Sequence, residues 1–175
     1  MFSLRQNDFI GFFSPSTPIT AFCPTRFERS VSFLKEKGFR IKPGNLTGKK
    51  DGYRSGSIAQ RADELNELIR DPDVRCIMST IGGTNSNSLL PYIDYDAFKK
   101  DPKIIIGYSD VTAILMGIYA KTSIPTFYGP ALVASFGELE PYNELTWSYF
   151  ADIFVDHLTL PHRFLMPDFW TDQDV

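Results

Sequence analysis

The run Ile104-Ile-Ile-Gly-Tyr-Ser-Asp-Val-Thr112 places a serine directly after an apolar stretch and directly before a helical pattern. A serine at such a strand-to-helix turn has its hydroxyl pushed out of the sheet edge, and the first free amides of the helix point at any oxyanion formed there. Nucleophile and oxyanion hole would come from one turn at Ser109. The alternative is that Ser109 only N-caps the helix, a common task for serine. The stretch also departs from the G-x-S-x-G elbow, because Val111 stands where the second glycine would be.

Gly82-Gly83 follows a neighbouring apolar run. Two glycines let the backbone approach a ligand and turn amide N–H groups toward it, which suits a second oxyanion donor or a phosphate cradle; the plainer reading is a tight turn. Neither the G-x-G-x-x-G fingerprint nor the Walker lysine pattern is present, so nucleotide binding by those routes has no support. A serine nucleophile needs a base within hydrogen-bond reach. The two histidines, His157 and His162, fall beyond the last helical pattern and read as surface or connector residues. The carboxylate pairs Asp94/Asp96 and Glu138/Glu140 lie in loop-like segments and read as solvated or capping groups. Cys23 and Cys76 form no CxxC pair, give no metal-ligand spacing and are expected as buried thiols. No metal or other cofactor is expected.

The elements that must position Ser109 and Gly82-Gly83 follow from periodicity. Asp8 to Phe13 reads as a buried strand ended by Ser14-Pro15-Ser16-Thr17-Pro18. Thr25-x-x-Glu28 reads as a capping box opening a helix that Gly38 ends. Phe39 to Lys42 is a second strand, residues 43–56 a long surface loop, and Ser57 opens a second helix with Ile58, Ala62, Leu65 and Ile69 on one face. Val74 to Met78 and Lys103 to Gly107 are further strands, nearly uniformly apolar as befits strands covered by helices on both faces. Val111 to Lys121 is a helix with Ile114, Leu115 and Ile118 inward, Pro125 to Tyr128 is a fifth strand, and Asn143 to Phe154 is the last helix. Strands alternating with helices predict an α/β fold: a doubly wound, mostly parallel sheet with helices on both faces and right-handed crossovers. The ligand crevice of such a sheet lies beyond the C-terminal strand ends, where Ser14 to Thr17, Gly82 to Asn87 and Tyr108 to Asp110 fall.

The chain of 175 residues suits one domain, expected over 1–150, with 151–175 as a connector. An apolar fraction of 43% with 22% charged residues argues against disorder. Eighteen Lys and Arg against 21 Asp and Glu, with no dense basic cluster, give no footprint for nucleic acid. The longest apolar stretches fall short of the roughly 20 residues that cross a bilayer, and the N-terminus lacks a signal-peptide pattern. A cytoplasmic, unprocessed protein with no membrane partner is the expectation.

The run Ile81 to Asp96 (IGGTNSNSLLPYIDYD), followed by Pro102 to Thr112 and Phe127-Tyr-Gly-Pro130, resembles the serine LD-carboxypeptidases, most closely the branch that contains the microcin C immunity proteins. Ser14-Pro15-Ser16, Arg26-Phe27, Gly38-Phe39, Gly52-Tyr53-x-Ser55-Gly56-Ser57 and Arg61-Ala62 are supporting matches. The resemblance implies a flavodoxin-like N-terminal domain with Ser109 as nucleophile. It implies an oxyanion hole from the backbone N–H groups of Gly83 and Asp110, with Gly82 and Thr84 at the substrate. It implies hydrolysis of an amide bond in a murein LD-peptide or in a peptidyl-adenylate conjugate, so that the partner is a small peptide or peptide-nucleotide substrate.

In that family a C-terminal domain completes the triad with a Glu and a His. No residue here matches either, and the chain stops where that domain would begin, so the isolated chain is expected to be inactive. Family members are often dimers, and a homodimer through an apolar face is expected. The competing reading is a non-catalytic domain that holds a small anionic or peptide ligand at the same sheet edge.

Overall fold

The computed structural model describes residues 2–156 together with Arg163 and Met166. Its centre is a five-stranded, wholly parallel sheet in the order β2-β1-β3-β4-β5: β1 Phe9–Phe13, β2 Arg40–Pro43, β3 Val74–Ser79, β4 Ile104–Gly107 and β5 Phe127–Tyr128. That order is the flavodoxin-like doubly wound one, with its topological switch between β1 and β3. The helices are α1 Ile19–Phe22, α2 Pro24–Glu36, α3 Ile58–Arg70, α4 Tyr95–Lys100, α5 Thr112–Thr122 and α6 Tyr142–Phe154.

The alternation of side chains along the strands sorts the core into two layers. Ile10, Phe12, Cys76, Met78, Ile104 and Ile106 face α2, α6 and a π-turn at Leu132–Phe136. Ile77 and Ile105 face the other way, onto Leu65 and Ile69 of α3 and Ile114, Leu115 and Ile118 of α5, and Val74 joins them because the register shifts at the start of β3. Each large apolar side chain so buried contributes about 1.5–3 kcal/mol. Lys103 is also fully buried and is satisfied by Asp71 O at 2.8 Å, Val74 O at 3.0 Å and Asp101 Oδ2 at 2.5 Å.

Two local expectations are corrected. Thr25 and Glu28 form no capping box: α2 starts at Pro24, whose fixed φ suits the first helical position, and Cys23 is the N-cap without a side-chain bond. Cys23 is only half-buried, whereas Cys76 lies in the core, where burial pushes its thiol pKa up. The capping box at Ser57 is present and reciprocal with Gln60, and Asp94 caps α4 through Ala97 N at 2.9 Å. Residues 157–162, which include both histidines, and most of the connector expected after 150 lie outside the described residues.

Candidate active site

Ser109 lies at the end of β4, at the first residue of a 3-10 turn, Ser109–Val111, that leads into α5. Its φ is +61°, in the left-handed region that L-residues other than glycine rarely adopt. The side chain is exposed and caps neither helical segment: Tyr108 and Val111 hold the N-cap positions, and neither makes a side-chain cap. A nucleophile elbow carries its serine in this same kind of sharp strand-to-helix turn, with the hydroxyl thrust above the sheet edge.

The turn after β3 lies directly against it. A Cβ on Gly82 would come 3.1 Å from both Ser109 Cβ and the Asp110 nitrogen, and 3.3 Å from Ser109 Oγ. Gly83 has φ +150° and backs onto the loop after β1, where a Cβ would strike Ser16 Oγ. The two glycines are therefore favoured by different neighbours, Gly82 by Ser109 and Asp110, and Gly83 by the loop behind it and by its own positive φ.

Three side chains lock this turn. Ser16, buried after β1, accepts from Thr84 N at 3.0 Å and Asn85 N at 3.2 Å. The Asp110 carboxylate accepts from Asn85 N at 3.1 Å and Ser86 N at 3.0 Å, and Ser86 Oγ returns a 2.6 Å bond to Asp110 O. Arg61 of α3 reaches Asn85 from beneath; burial lowers its pKa, Arg54 lowers it further, and Asp110 opposes both. These bonds occupy the N–H groups of Thr84, Asn85 and Ser86, and none of them uses the N–H of Gly83 or of Asp110. Among the described residues the Gly83 and Asp110 amides have no hydrogen-bond partner, and they lie in the two turns that meet at exposed Ser109.

Gly82 packs against Ser109 and Asp110, with Gly83 next to it in the same turn; Thr84 is exposed, its amide already committed to Ser16. The roles of Ser16, Asn85 and the Asp110 carboxylate went unassigned in the sequence, where only the position of the Ser14 to Thr17 segment at the sheet edge hinted at them. Tyr108 opens a groove of about 480 Å³ between β5 and α6, where it stands 6.4 Å from Tyr128; desolvation raises its pKa. A cavity of about 540 Å³ lined by Arg5, Asp8 and Arg75 lies at the opposite, N-terminal end of the strands, away from Ser109. No group of His, Cys, Asp and Glu among the described residues could hold a metal, and no described helix is long and apolar enough to cross a membrane.

The sheet order defines a flavodoxin-like α/β domain, and the crowded turns beyond β3 and β4 place the candidate site at the C-terminal strand ends. Residues 10–129 match the LD-carboxypeptidase N-terminal domain, and the chain belongs to that family, which places it in the peptidase class of hydrolases. It is 62% identical over 170 residues to a Vibrio cholerae serotype O1 protein that carries a carboxypeptidase name, covering 97% of this chain and 51% of that one. It is 54% identical over 172 residues to the microcin C7 self-immunity protein MccF of Escherichia coli, covering 98% and 50%. The solved structure of MccF in complex with glutamyl sulfamoyl guanosine superposes with a TM-score of 0.94 at 53% identity, over 99% of this chain and 52% of that one. The chain spans about half the length of the relatives it matches.

Proposed function

We propose that this chain is the nucleophile-bearing half of a serine LD-carboxypeptidase. The substrate is an amide-bonded murein LD-peptide or a peptidyl-nucleotide conjugate of the microcin C kind. The observation that carries the reading is Ser109: exposed, left-handed and free of capping duty, with Gly82 packed against it. Ser109 Oγ attacks the scissile carbonyl carbon, and the developing oxyanion is received by the N–H groups of Gly83 and Asp110, held in place before the reaction starts. Gly82 and Thr84 border the acyl group. The proton leaving Oγ needs a base, and the described residues contain no histidine; a Glu and a His from polypeptide beyond this chain complete the triad.

The relatives support the substrate class: MccF structures hold glutamyl sulfamoyl guanosine, aspartyl sulfamoyl adenosine and adenosine monophosphate, and a more distant relative is the murein tetrapeptide carboxypeptidase of Pseudomonas aeruginosa, at 25% identity over 114 residues. A cytoplasmic location and a homodimer belong to the same reading. In the full-length protein, Ser109→Ala is expected to remove hydrolysis of a murein tetrapeptide or an aspartyl-adenylate conjugate, whichever the wild type cleaves, while the thermal midpoint stays near the wild-type value. Turnover undiminished by that change overturns the assignment. The isolated 175-residue chain is expected to hydrolyse neither substrate at an appreciable rate, because no histidine among the described residues serves Ser109 as a base.

A further inference from the structure

Arg61 is 1% exposed, and among the described residues no ion pair includes it. Its guanidinium donates instead to uncharged oxygens on three separate loops. Nε reaches Gly56 O at 3.0 Å, Nη1 reaches Pro15 O and Asn85 Oδ1 at 2.5 Å each and Asn85 O at 3.3 Å, and Nη2 reaches Ser88 Oγ at 3.3 Å. Burying a cation that has no direct carboxylate partner is costly even with the Asp110 carboxylate nearby, and an apolar side chain of like volume is often neutral or stabilising in its place. Packing alone therefore gives no reason for an arginine here. What arginine adds is a rigid planar fork that holds several acceptors at fixed angles.

The acceptors are informative. Pro15 precedes Ser16, and Asn85 follows Thr84, so Arg61 joins the two residues flanking the Ser16–Thr84 bond. Asn85 turns Oδ1 to Arg61 although this leaves its buried Nδ2 without a partner among the described residues, so the Arg61 contact governs how that side chain is set. We infer that Arg61 is a positioning residue for the oxyanion turn: by clamping Asn85 to Pro15 and Gly56, it fixes where the Gly83 N–H stands relative to Ser109. This rests on the roles proposed above for Ser109 and Gly83.

The test uses the full-length protein with Arg61→Gln, Arg61→Lys and Asn85→Ala. Steady-state kcat and KM are measured beside the rate at which a fluorophosphonate labels Ser109, all normalised to titrated active sites. All three variants are expected to lose about 10- to 100-fold in kcat and in labelling rate per site, with KM changed by less than about 3-fold, because a misplaced oxyanion donor acts on the transition state. Lysine does not rescue, since it carries the charge without the fork. A purely structural Arg61 would reduce the number of titratable sites but leave kcat and labelling per site at wild-type values, and that result overturns the inference. If the Arg61 variants fail to fold, Asn85→Ala decides, because it leaves Arg61 bound to Pro15, Gly56 and Ser88; wild-type kcat per site in that variant also overturns it. Wild-type protein that is not labelled at all overturns the nucleophile assignment itself, a result distinct from equal labelling of wild type and variants.

Discussion

Gly82 and Ser109 lie 27 positions apart, yet they pack so closely that a methyl group on the Gly82 α-carbon would stand 3.1 Å from Ser109 Cβ, tight enough that the serine would have to shift by a few tenths of an ångström. The neighbours that would have to yield are Ser109, the proposed nucleophile, and the Asp110 amide, neither a flexible chain end. Gly82→Ala is expected to cost little stability, about 1 kcal/mol or less in a thermal or urea melt, but at least about 10-fold in the rate of Ser109 phosphonylation. Labelling at the wild-type rate would show that the contact has no catalytic consequence.

The left-handed setting of Ser109 stores strain that serves the turn and not the fold. Glycine normally destabilises relative to alanine, but at a positive φ the order reverses. Ser109→Gly is expected to be more stable than Ser109→Ala by about 1 kcal/mol, with both inactive. A higher melting temperature for the alanine variant would contradict the backbone conformation assigned here.

Ser16 is a buried hydroxyl that serves two amides of the turn after β3. In Ser16→Ala the Asn85 N–H keeps its bond to Asp110, but the Thr84 N–H is stranded. The expected loss is about 1–3 kcal/mol of stability, accompanied by slower phosphonylation. Stability within about 0.5 kcal/mol of wild type would mean that water replaces the hydroxyl at no cost.

Glu64 provides a pH dependence. It is 2% exposed beneath the loop after β1, accepts from Ser14 N at 2.7 Å and Leu46 N at 2.8 Å, and has its pKa raised by burial from 4.5 to about 7. An acid that binds its proton more tightly when folded favours the folded state below the unfolded pKa, and that contribution is lost as pH rises from about 4.5 to about 7. The change amounts to about 3 kcal/mol at most. Urea melts of wild type and Glu64→Gln between pH 4.5 and 8 check this: glutamine lowers stability at acid pH, because it leaves one N–H without an acceptor, and removes the downward slope. Parallel slopes in the two proteins would place the titration elsewhere.

The sequence by itself determined the elements. Apolar runs bounded by glycine and proline became strands, and a 3.6-residue period with a Ser57 cap became α3, because such patterns depend on neighbours within a few residues. The short segments α1, α4 and the π-turn at Leu132–Phe136 escaped that reading, being too brief for a period to show. Gly82-Gly83 and Tyr108-Ser109-Asp110 were each visible as turns at one sheet edge, but their contact was not. Nor did periodicity reveal that Ser16, Asp110 and Arg61 meet on Asn85 from three different connections. Those meetings depend on strand order and register, which bring the ends of β1, β3 and β4 side by side. Register is set by the packing of the whole sheet between its two helical layers, a property of the folded chain that no window of adjacent residues contains.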